Sequence, residues 1–124
     1  MRYFLMFSAA VWGGYGLYCW ISPEAVMEFA GISALTPTGR TEIRAMYGGL
    51  QTALGVVALS AVIRPALAPT TTAFLGAMTL GLAGARLHGL AVDGGLSEYT
   101  IGGLVFELGA TTWAYLALRA GDGN

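Results

Sequence analysis

A chain of 124 residues that is 56% hydrophobic and only 10% charged cannot clothe a water-facing globule, which usually takes about 25% charged residues. Lipid must therefore be part of its solvent, and 19 glycines with no lysine suit membrane helices better than a soluble fold. The net charge of -1 offers no basic face to nucleic acid, so that class of partner is excluded.

The first apolar segment, residues 3–21, approaches the roughly 20 residues needed to cross a bilayer core. Arg2 resembles the n-region of a secretory signal, but the apolar run is too long for one. It ends in Tyr18 and Trp20 rather than in a small-residue cleavage site, which suits a membrane interface. Cys19 lies within this segment. With no second cysteine it makes no internal disulfide, and it is expected to be a small buried hydrophobe.

The longest connection, residues 22–44, carries structure of its own. Ser22-Pro23-Glu24 has the form of an N-cap, a first-turn proline and an early acid, and Gly31 supplies a stop after Ala30. Val26, Phe29 and Ala30 share one face while Glu24 and Glu28 share another, the pattern of a short interfacial helix. Thr36-Pro37-Thr38-Gly39 reads as a loop, with Thr41 capping the next helix.

Three more spans follow, over residues 45–63, 70–92 and 99–118. Arg64-Pro65 and Pro69 break the chain between the second and third. Asp93-Gly94-Gly95 turns the third back onto the fourth as an antiparallel hairpin. The expected fold is all-α: one domain, an integral membrane four-helix bundle with a short interfacial helix after the first span. Four spans put both termini on one side. The distribution of Arg2, Arg64 and Arg119 against Arg40 and Arg44, with the acids opposite the termini, favours cytoplasmic termini.

Small residues mark helix contacts. Ala73, Ala77, Gly81, Ala85 and Gly89 recur every four residues down the third span, a seam that lets backbones approach. Ala45, Gly49 and Ala53 make a shorter seam on the second span, and Ala9 and Gly13 one on the first. Packing within one chain is the simplest use of these seams, and self-association the alternative.

Charges inside a span are costly and turn inward to a partner. Arg86 lies about 9 Å from the turn between the third and fourth spans and Glu107 about 12 Å from it, so an Arg86–Glu107 ion pair is expected. Gln51 lies at similar depth, on the face of Arg44, and Gly48 and Gly55 leave room there for a neighbour or a ligand. Arg44 falls in the first turn of its span, where the helix dipole opposes a cation, so Asp93, Glu98 or Glu42 is called on to offset it. Asp93 shares a face with Arg86 and can engage either arginine. The candidate ligand-binding or structural polar cluster is thus Arg44, Gln51, Arg86, Asp93 and Glu107. As a structural network it fixes helix register; as a site it suits an anionic or carbonyl-bearing head group.

His88 has no second histidine or cysteine to build a metal site, and no cofactor motif is present. Ser8, Ser22, Ser33, Ser60 and Ser97 form no nucleophile elbow, so the reading leans away from an enzyme and assigns no catalytic residue.

The stretch Thr41-Glu42-Ile43-Arg44-Ala45-Met46-Tyr47-Gly48-Gly49-Leu50, with its E-x-R-x-x-Y-G-G core, resembles the DoxX-like small bacterial membrane proteins grouped as domain of unknown function 4345. The likeness continues through Gly84-Ala85-Arg86, the Asp93-Gly94 turn and Glu107. It implies a four-helix membrane bundle in the bacterial inner (cytoplasmic) membrane, without catalytic residues to transfer. Three functions follow in order of preference. The first is a non-enzymatic subunit or partner of a larger membrane complex, or a homo-oligomer. The second is a binding protein or enzyme for a quinone or lipid that enters near Arg44 and Arg86. The third is a dimeric small transporter, disfavoured because residues 3–21 carry no acid.

Overall fold

The computed structural model describes residues 1–121, and they are helical almost throughout, with no strand among them. Two compact units divide the chain: residues 5–65, and residues 66–121 together with Met1–Phe4. Four helical stretches are long and apolar enough to cross a membrane: Arg2–Ile21, Pro37–Ile63, Pro65–Asp93 and Glu98–Gly121. Large apolar side chains face outward along them, among them Leu17, Ile63, Phe74, Val105 and Leu116. Such surface is stable only against hydrocarbon. The all-α membrane fold expected from composition is the fold observed.

In the first unit, α1 (Arg2–Ile21) gives way at Ser22 to α2 (Pro23–Ala30). Pro23 opens α2 because its missing N–H is one a helix start leaves unpaired anyway. Ser22 occupies the cap position without a side-chain capping bond. Gly31 ends α2 at φ +67, a left-handed conformation that glycine adopts without a Cβ clash. The N–H of Ile32 returns to the carbonyl of Met27 at 2.9 Å, closing the C-terminal turn. Val26 joins Cys19 and Ile43 in a small core flanked by Met27, Ala30, Ile32, Ala34 and Tyr47. Val26 is buried while Phe29, on the same apolar face, is 68% exposed, so only one edge of that face packs within the chain. Cys19 is free and buried, as its apolar neighbours imply.

The second long helix, α3 (Pro37–Ile63), begins earlier than the sequence reading placed it. Thr36 is the cap: its Oγ1 accepts the N–H of Gly39 at 3.1 Å, and Pro37 takes the first position. Thr41, expected to cap, lies inside the helix and donates its hydroxyl to the carbonyl of Pro37. Thr-Pro is a turn signal and also a helix start, and here the second reading prevails. Arg40 Nη1 reaches Glu24 Oε1 at 2.6 Å, tying α2 to the first turn of α3.

From Arg44 to Gly49 the helix widens into a π segment before resuming as α from Leu50. The buried positions record it, since Ile43 is followed by Gly48, five residues on. An α-helix would repeat the buried face after three or four. Gly48 then sits on the backbone of α1, where an added Cβ would come 2.7 Å from Trp20 Cα. A Cβ on Gly16 would strike Thr52, and one on Gly55 would strike Gly13. The pairs Trp20–Gly48, Gly16–Thr52 and Gly13–Gly55 define an antiparallel crossing. Ala9 contributes its carbonyl beside Gly55, so the expected Ala9/Gly13 seam is used. The Ala45/Gly49/Ala53 seam is not: Ala45 and Ala53 are exposed, because the π segment turns Gly48 toward α1 in their place.

A short 3-10 turn, Pro65–Leu67, leads into α4 (Ala68–Asp93) of the second unit. Pro69, expected in the break before the third span, lies instead in the opening turn of α4. Gly94, at φ +67, ends α4 with its N–H on the carbonyl of Leu90. The hydroxyl of Ser97 accepts the N–H of Thr100 at 3.1 Å as α5 (Glu98–Gly121) begins. The tight turn makes α4 and α5 antiparallel neighbours, as expected. Gly76 lets them approach, for its Cβ would lie 2.8 Å from that of Ala114. At the far end Phe4 packs edge-on to Trp113 with ring centroids 5.8 Å apart.

The expected seam on α4 is turned outward. Ala73, Ala77, Gly81 and Ala85 are exposed, and Gly89 is half-buried. The buried face is Thr71, Thr72, Leu75, Gly76, Thr79 and Ala83. Small size marked the stripe, but one step round the helix Thr79 provides a hydrogen bond to α5's Thr111 and Gly76 the close approach.

Candidate functional site

Arg86 and Glu107 meet between α4 and α5. Arg86 Nε lies 3.2 and 3.1 Å from the two carboxylate oxygens, and Nη2 lies 2.7 Å from Oε1. This fork on a carboxylate is the strong form of the charge-assisted hydrogen bond. The glutamate side chain is 4% exposed and the arginine 26%, so each needs the other: an unpaired charge in this setting is strongly destabilising.

The surroundings are shaped to the guanidinium. A Cβ on Gly103 would lie 2.6 Å from Arg86 Cζ, so the glycine on α5 vacates the volume that the arginine fills. Tyr99 presents its ring 5.7 Å from Cζ, within cation–π range. One turn beyond Glu107, Thr111 donates to the Glu107 carbonyl at 2.8 Å, and its hydroxyl pairs with Thr79 Oγ1 at 2.9 Å. Thr79 also reaches the carbonyls of Leu75 and Gly76. The polar groups of this interface form one ladder from Thr79 to Tyr99.

Tyr99, Gly103, Thr79 and Thr111 were not singled out from sequence, although a signal existed. Gly103 precedes Glu107 by four residues and Thr111 follows it by four, so all three share a face. Once Arg86 is paired with Glu107, that face is the one turned to α4.

The remaining candidates stand apart from this pair. Asp93 is exposed at the last residue of α4 and has no ion-pair or hydrogen-bond partner among the described residues. Its expected role beside Arg86 is taken by Glu107, and the chain turns away immediately after it. Arg44, in the first unit, is likewise exposed and unpaired among the described residues. It is two turns inside α3 and so free of the first-turn dipole penalty expected for it. Gln51 is half-buried, and its Oε1 and the Oγ1 of its neighbour Thr52 are buried without a hydrogen-bond partner among the described residues. Gly48 and Gly55, expected to leave room beside Gln51, are occupied by α1. His88 is exposed. No group of three or more His, Cys, Asp or Glu able to hold a metal ion occurs among the described residues.

A second feature lies in the first unit, at the crossing of α1 and α3. Ala9, Ala10, Gly13, Gly14 and Leu17 face Thr52, Gly55, Val56 and Leu59 across an open groove of about 290 Å³. Its lining is almost wholly apolar.

These features define a multi-pass helical membrane protein with an arginine–glutamate pair locked between two helices and an apolar groove between two others. The chain belongs to the family described as Domain of unknown function (DUF4345), whose model matches residues 1–118. No curated protein and no solved structure matches it.

Proposed function

We propose that the protein is a non-enzymatic component of the bacterial inner membrane, related to the DoxX-like proteins, that serves as a small subunit or docking partner of a larger membrane assembly. The observation that carries this reading is the outward stripe Ala73, Ala77, Gly81 and Ala85 on α4. Small residues repeated every four positions admit another helix to backbone distance. Lipid gains nothing from such a groove over an ordinary leucine face. The closure of Arg86 on Glu107 supports the same reading, because it leaves that arginine as an internal clamp rather than a head-group receptor. Both termini lie in the cytoplasm on this proposal.

Cysteine cross-linking in native membranes tests it. Ala77→Cys or Gly81→Cys, each in a Cys19→Ala background, is expected to give a discrete adduct with a protein partner, a second copy included. Val105→Cys, on the lipid-facing side of α5, is expected to give none. Equal labelling at the two faces, or adducts at neither, would remove the basis of the proposal.

A further inference from the structure

Residues Arg44, Gly48, Thr52 and Val56 follow one another at four-residue steps through the π segment and into the α-helical part of α3. In a stretch bonded at i to i+5 a four-residue step falls short of a full turn, and in the following α-helix it overshoots by about 40°, so the two drifts offset each other. One strip of α3 therefore carries, from its N-terminal part inward, an arginine, a glycine seated on Trp20, an unpaired buried hydroxyl and a wall of the apolar groove. A purely α-helical segment would not keep the arginine so nearly in line with the groove. The π segment is thus what brings charge and groove together, and such insertions often occur where a helix does more than pack.

Arg44 is the exposed cation of this strip, with no partner among the described residues. Arg40, one turn earlier, is paired with Glu24. The groove begins at Thr52, at most about 12 Å along the helix from Arg44, the figure an unbroken α-helical rise would give. An arginine standing that far from an apolar groove has the spacing of a phosphate and the chain below it. The groove is open to the outside along Ala10, Gly14, Leu17 and Val56, so a chain enters sideways from the bilayer.

We propose that α1 and α3 hold one anionic glycerophospholipid, its phosphate on the Arg44 guanidinium and one acyl chain in the groove of Ala10, Gly14, Leu17, Thr52 and Val56. The guanidinium selects the phosphate by charge and hydrogen bonding, and the groove selects a flexible apolar chain by shape. This site is independent of the partner face on α4, so either proposal stands if the other fails.

The test uses the full chain in a mild detergent, titrated with phosphatidylglycerol or phosphatidylcholine and read by native mass spectrometry. Wild type is expected to retain one phosphatidylglycerol and to prefer it over phosphatidylcholine. Arg44→Gln is expected to bind phosphatidylglycerol about tenfold more weakly, the scale of one charge-assisted hydrogen bond, and to lose the preference. Arg64→Gln, an exposed arginine at the other end of α3, is expected to behave as wild type. Gly14→Leu fills the groove at a position where a Cβ meets nothing within 4 Å, and it is expected to abolish retention of both lipids with helicity unchanged. If that variant does not fold, Ala10→Leu obstructs the same groove. Retention of phosphatidylglycerol by Arg44→Gln at wild-type strength, or by the groove-filled variant, would overturn the proposal.

Discussion

Arg86 and Glu107 share three hydrogen bonds across the α4–α5 interface, and the space for them is the side chain that Gly103 lacks. The two charges are mutually dependent, which makes their removal non-additive. Glu107→Ala leaves Arg86 without its counter-charge, and breaking such a pair costs about 3 kcal/mol or more. Arg86→Ala strands the more deeply buried Glu107 and is expected to be at least as harmful. The double change Arg86→Met with Glu107→Leu is expected to recover most of the loss, since apolar replacement of a buried pair is often neutral. Reversible unfolding in detergent, followed by circular dichroism, measures all three.

Gly103 is predicted to report on the same pair from the opposite side. Gly103→Val drives a methyl into the guanidinium, which cannot retreat without leaving the carboxylate. A loss of about 1–3 kcal/mol is expected from overpacking. Gly102→Val, beside it but in open space, is expected to cost less in the same assay. A larger loss at Gly102 would contradict this account of the pocket.

The Thr79–Thr111 contact is a weaker link in the same ladder. Hydrogen bonds between membrane helices average about 0.6 kcal/mol, because polar groups find other partners when helices separate. Thr79 already has two carbonyls of its own helix within reach. Thr79→Val, Thr111→Val and the double variant, read as a double-mutant cycle, are expected to give a coupling below about 1 kcal/mol.

How far the sequence disclosed this molecule depends on the kind of signal. Length and apolarity mark the long helices, and a charge in each of two spans joined by a short turn is enough to pair Arg86 with Glu107. Glycine placement was legible only as an abundance of small residues. Which partner they served was not, because residue size does not distinguish a helix of the same chain, as at Ala9 and Gly13, from an outside neighbour, and the stripe Ala73, Ala77, Gly81 and Ala85 faces outward. The start of α3 was obscured because Thr-Pro-Thr-Gly carries both loop and capping signals. The π segment was invisible for a deeper reason: one extra residue per turn leaves no mark in composition, only a shift in which later positions are buried.

That shift supplies the sharpest prediction about the α1–α3 crossing. Gly48, inside the segment that widens from Arg44 to Gly49, sits on the Trp20 backbone. Gly48→Val places two methyls against main-chain atoms that cannot rotate away, so the helices must separate. A cost at or above the upper end of the usual 1–3 kcal/mol for overpacking is expected. Gly14→Ala on α1 meets nothing within 4 Å and is expected to be neutral or slightly stabilising, since alanine favours a helix by up to about 1 kcal/mol over glycine. Removing one residue from the segment, by deleting Ala45, is expected to restore α-helical pairing while rotating Arg44 relative to Thr52. Amide exchange should then slow across residues 44–49, while exchange at α1 residues facing Gly48 should quicken as the crossing loosens. If deletion leaves the crossing protected as in wild type, the π segment is not what aligns it.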